Sequence, residues 1–131
     1  MRRFTMQQAV TLVGVLALVA TTVLPLQSVF GAGGGARRDV VLQEEQNLKD
    51  AIEHAEVAVF HGKDGDAKAL LEHVENALQH ALKGGTDNPY VEKGISHLKE
   101  AIEHGKAGLA DVATKHAETA VMHLSQERKV R

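Results

Sequence analysis

At 131 residues, with a net charge of −2, 3% aromatic residues and no cysteine, the chain is one domain in length and has no disulfide to hold it together. It carries neither a basic patch nor a set of stacking aromatics, which excludes nucleic acid as a partner, and its core has to be aliphatic.

The chain opens as an export signal. Arg2 and Arg3 give a positive start, Ala9 to Leu24 is apolar and uncharged, Pro25 breaks a helix, and small residues follow from Gly31 to Gly35. Cleavage after Gly31 places Val29 three positions before the cut, whereas cleavage after Ala32 would put bulky Phe30 there. The sequence therefore divides into a signal peptide at 1–31, a flexible segment at 32–39 and a folded part at 40–131. An uncleaved anchor is the competing reading, because the apolar stretch with its flanks approaches the ~20 residues that span a bilayer. Arg2-Arg3 lacks the rest of a twin-arginine motif. The general secretory route is expected, giving a periplasmic or secreted product with no stable membrane association after cleavage. That product is acidic, with 13 basic against 17 acidic side chains and a charge of −4.

Helical patterning predicts four helices, at 40–61, 66–83, 89–104 and 109–127. Gly84-Gly85-Thr86-Asp87-Asn88-Pro89 separates the second from the third, with Asp87 or Asn88 placed to cap the helix that Pro89 opens. The other two breaks use one phrase twice: His61-Gly62-Lys63 with Gly65 and Ala67, and His104-Gly105-Lys106 with Gly108 and Ala110. Their glycines are expected to turn each hairpin in the left-handed conformation. A shift of 43 residues superimposes the two halves, matching 12 of the 29 positions from 52 to 80. The expected fold is all-α, a monomeric antiparallel up-down four-helix bundle built from two duplicated helical hairpins.

All eight histidines fall in four pairs seven residues apart: His54/His61, His73/His80, His97/His104 and His116/His123. Seven residues are two helical turns less about twenty degrees, so both members of a pair leave one face of their helix. Apolar residues lie three before, two before and one after each histidine, which centres the apolar stripe about 100° from the imidazole. The histidines therefore flank the core. Their offset has the same hand on all four helices, so they converge at alternate interfaces. Bundle handedness decides whether these are the first helix with the second and the third with the fourth, or the second with the third and the fourth with the first. If the hairpin seams are the convergent ones, folding each hairpin about its turn sets His54 level with His73 and His97 level with His116. His61 then lies beside Asp66, and His104 near Ala110.

Eight imidazoles in one register point to metal ligation, since neutral imidazole is the commonest metal-binding side chain. Glu100, Asp50 and Glu127 stand three or four residues from a histidine and, with Asp66, are the candidate carboxylate ligands. There is no thiolate, and Met122 is the sole methionine after the leader, which argues against a soft Cu(I) site. Imidazole with carboxylate suits Cu(II), Ni(II) and Zn(II), Cu(II) binding most strongly. Catalytic signatures are missing. The Glu-x-x-His pairs of a di-iron centre, the HExxH of zincins and the CxxCH of haem attachment do not occur, and no enzymatic activity is expected.

The segments LKDAIEHAEVAVFHGKDGDAKALLEHVENALQHA and GISHLKEAIEHGKAGLADVATKHAETAVMHL resemble the periplasmic small metal-binding protein family over nearly the whole mature chain. The resemblance implies a small four-helix bundle whose heptad histidines bind several divalent metals, copper foremost, in metal storage and tolerance. It carries over to each of the eight histidines. This chain departs from the family pattern in having fewer histidines, with Asp66 and Leu109 where a histidine begins the second helix of each hairpin.

The expected function is buffering or sequestration of divalent transition metal in metal homeostasis. The alternatives are a structural or interaction bundle with pH-responsive histidine seams, and a metallochaperone delivering to a partner. Because Asp66 offers a carboxylate near His61 and Leu109 offers none, the first hairpin is expected to bind more than the second.

Overall fold

The structure, a computed structural model, describes residues 32–130, so the expected signal peptide lies outside the described residues. Four helices follow in order: α1 (Ala32–Lys63), α2 (Ala67–Lys83), α3 (Pro89–Lys106) and α4 (Ala110–Val130). None of them is long and apolar enough to cross a membrane.

Each hairpin turns by the same device. After α1, Gly65 adopts φ +83°, its N–H donates to Gly62 O at 3.3 Å, and Asp66 N–H donates to His61 O at 2.9 Å. After α3, Gly108 adopts φ +80°, donating to Gly105 O at 3.0 Å, and Leu109 N–H donates to His104 O at 2.9 Å. These are paired Schellman bonds, in which a left-handed glycine lets the chain leave the helix while the last carbonyls stay satisfied. Only Gly65 and Gly108 do this work. Gly62 and Gly105, expected in the turns from their place in the repeated phrase, lie inside the helices and serve packing. A Cβ on Gly62 would stand 2.0 Å from Thr114 Oγ1 and 2.5 Å from Leu70 Cδ1, and one on Gly105 would stand 2.6 Å from Leu71 Cδ2. At the far end of the bundle, Asn88 Oδ1 accepts from Tyr90 N–H at 2.8 Å and so caps α3, while Asn47 Nδ2 donates to the terminal carbonyl of Lys83 at 3.3 Å.

α1 begins eight residues earlier than its hydrophobic pattern, which starts at Val40. The segment 32–39, expected to be flexible, continues the helix. Residues 35 to 43 are all exposed, so no burial pattern records them. Gly33, Gly34 and Gly35 weaken a helix by about 1 kcal/mol each without blocking it, and no proline intervenes.

α1 packs on α2 and α4, and α3 packs on α2 and α4. Contacts between the hairpins come in exchanged pairs under the 43-residue shift. Lys63 meets Glu118 at 2.7 Å and Lys106 meets Glu75 at 3.0 Å; Gly62 faces Thr114 and Gly105 faces Leu71. If residue i touches j of the other copy and j touches i, the copies are related by a two-fold axis. The duplication is thus also a symmetry of the bundle. The ion pairs are exposed and contribute little stability, so their value here is as markers of register.

Symmetry breaks in the core. The fully buried leucines are Leu48, Leu70, Leu98 and Leu124, one on each helix. Leu70, Leu98 and Leu124 have buried alanines as their repeat equivalents, at Ala113, Ala55 and Ala81. Alternating large with small side chains across facing positions lets a core of alanine and leucine fill to normal density.

Candidate metal centre

Both members of each histidine pair turn toward the other helix of their own hairpin. The convergent seams are α1 with α2 and α3 with α4. The other two interfaces are occupied by the close approaches at Gly62 and Gly105 and by the lysine–glutamate pairs. All eight imidazoles are half-buried.

Within the first hairpin the rings form a ladder in the order His80, His54, His73, His61, with successive centroids 5.4, 5.6 and 5.4 Å apart. The second repeats it as His123, His97, His116, His104, at 5.5, 5.6 and 5.1 Å. Residue numbers rise on one helix as they fall on its partner. In each ladder the central rung brings two Nδ1 atoms to 3.3 Å, His54 with His73 and His97 with His116. At the outer end of each, His80 Nδ1 and His123 Nδ1 are buried with no hydrogen-bond partner.

Carboxylates separate the two ladders. Glu100 Oε2 stands 2.8 Å from His97 Nδ1 and 2.9 Å from His116 Nδ1, forming among the described residues the one group of three converging ligand side chains. Two donors held at about 2.0–2.1 Å from one ion are about 2.8 Å apart at a right angle and about 3.3 Å apart at the tetrahedral angle. The spacings at this rung match those two values, so the residues fit a divalent ion of the zinc or copper kind.

In the first ladder the residue equivalent to Glu100 is Val57. It lines a cleft of about 350 Å³ with Asp50, Glu53, His54, His73 and His80. Asp50 Oδ2 is 3.9 Å from His80 Nδ1, and Asp50 Oδ1 accepts from Gln46 Nε2 at 2.7 Å. Glu127 is buried, in a cleft shared with Leu42, Glu45 and Leu48 of α1.

Asp66 stands at the start of α2. Its Oδ1 accepts from Ala69 N–H at 3.0 Å, making it the N-cap of α2, while the ring of His61 lies against His73 and Phe60. Acting as a cap, Asp66 should affect stability and not binding. Asp66→Ala is expected to cost about 1 kcal/mol and to lower Tm by roughly 4–8 °C, with the zinc isotherm unchanged. A weakened isotherm would restore Asp66 as a ligand.

A four-helix bundle whose hairpin seams carry half-buried imidazole ladders, one of them completed by a carboxylate, is a metal-binding scaffold. The model of the small metal-binding protein family matches residues 12–127, and the chain belongs to that family. No curated protein matches it.

Proposed function

We propose that this protein is exported and, without acting as an enzyme, buffers divalent transition metal in the periplasm, taking Cu(II) ahead of Ni(II) and Zn(II). The observation that carries the reading is the convergence of His97, His116 and Glu100 on one point between α3 and α4. Nitrogen and carboxylate donors without thiolate favour these three ions, and Cu(II) has the highest intrinsic affinity among them. In the Nε2–H tautomer a neutral imidazole presents its Nδ1 lone pair inward. Three protein donors leave a coordination position for water, and half-buried rings leave the ion a way out, which suits exchange more than permanent retention.

Calorimetric titration of the chain from residue 32 onward tests the reading. Cu(II) is expected to bind most tightly and Ni(II) and Zn(II) more weakly. Absence of binding would overturn it. Export has its own test: protein recovered from the periplasm should begin at Ala32 or within a few residues of it. Recovery only from the cytoplasm with Met1 in place would refute that part.

A further inference from the structure

The duplicated hairpins look interchangeable in their histidines, yet they are unequal at the position that completes a site. Under the 43-residue shift the central rungs superimpose, with the same Nδ1 separation of 3.3 Å and the same centroid distance of 5.6 Å. The residue three beyond the first histidine of each rung faces that rung. In the second hairpin it is Glu100, touching both imidazoles; in the first it is Val57, on the wall of the cleft beside His54 and His73. The nearest carboxylate in the first ladder, Asp50, serves the outer rung at 3.9 Å, and its own repeat equivalent is Lys93.

Two neutral imidazoles bring no charge to a dication. Glu100 brings a full negative charge to within 3 Å of both nitrogens, in a half-buried seam where solvent screens less than in bulk water. We infer that the hairpins have diverged into two classes of site. The His97–Glu100–His116 rung takes the first equivalent of divalent metal, and the His54–His73 rung, which has valine in place of the bridging carboxylate, fills only afterwards. This rests on the metal-binding reading above and assigns an order within it. The expectation from Asp66 and Leu109, that the first hairpin binds more, concerns capacity; the order of filling is set by Glu100.

The test follows imidazole ring resonances by nuclear magnetic resonance in the intact protein as Zn(II) is added below one equivalent. Single His→Gln substitutions assign the resonances. The rings of His97 and His116 are expected to shift first, and those of His54 and His73 only as the first equivalent is exceeded. Glu100→Gln keeps the shape of a half-exposed side chain while removing its charge. It should weaken the first binding event by about tenfold or more, since losing even an outer-shell partner of a metal site costs about 10–100-fold, and it should abolish the order. Val57→Glu should draw His54 and His73 into the first event, doubling the tight stoichiometry. If both central rungs respond together in the unaltered protein, or if Glu100→Gln leaves the order intact, the inference fails while metal binding stands. If no ring responds at any Zn(II) concentration, metal binding fails with it. The order in the unaltered protein decides the matter even if a variant folds poorly.

Discussion

Leu124→Ala is expected to cost about 2–5 kcal/mol and to lower Tm by roughly 10–30 °C. Leu124 is fully buried in α4, and the residue facing it on α3 is Gly94, which has no side chain to relax into the space left behind. In a bundle whose whole stability is about 5–15 kcal/mol, that is a large share. The facing glycine provides a sharper test. Alanine in a helix interior normally gains about 1 kcal/mol over glycine, but a Cβ on Gly94 would stand 2.6 Å from both Cγ and Cδ2 of Leu124. Overpacking of that kind costs about 1–3 kcal/mol, so Gly94→Ala alone should destabilise. Combined with Leu124→Ala the clash disappears and part of the void is filled. The second substitution should then recover stability, with a coupling of about 1 kcal/mol or more between the two. Urea melts of the metal-free protein measure this cycle. A stabilising Gly94→Ala in the unaltered background would mean that α3 and α4 do not approach as closely as described.

The sequence marks helix ends where one residue type does one job. Asn88 before Pro89 caps α3, and Gly65 and Gly108 close the two hairpins, because a left-handed residue or a capping oxygen has few substitutes. Gly62 and Gly105 carry no such unambiguous mark. A glycine near a turn looks the same whether it supplies a positive φ or a close approach, and only the neighbouring helix, bringing Thr114 or Leu71, tells the two apart. The heptad register of the histidines is fully legible, but the seams they line are not. One hand of offset on four helices permits two arrangements, and the choice depends on which interfaces accept the closest approach. Asp66 shows a different limit: a carboxylate at a helix start can be a cap or a ligand, and the backbone N–H of Ala69 lies closer to hand than an imidazole on another helix. The substitution of Val57 by Glu100 is visible as soon as the halves are aligned. Its meaning depends on this position facing the central rung, which only the closed hairpin shows.

Saturating metal should raise Tm by roughly 10–20 °C for each site filled at about a hundred times its Kd, because binding to the folded state alone adds about 2.7 kcal/mol per site at that concentration. The donors justify the condition. His97 and His116 lie on different helices, 19 residues apart in the chain, and their nitrogens meet only when the hairpin is closed. An unfolded chain can still bind metal through separate histidines, which would reduce the rise without removing it. Substitutions at the rung then tell a shared site from a set of independent ones. Two donors that hold one ion are not independent, so His97→Gln and His116→Gln should each remove most of the first increment in Tm, and the double variant should lose little more. His54→Gln and His73→Gln should behave alike toward the second increment and leave the first in place. Strictly additive losses across His97 and His116 would show single imidazoles binding separately at the surface. A Tm that stays constant as Cu(II) or Zn(II) is raised well past stoichiometric would show that the ladders hold no metal at all.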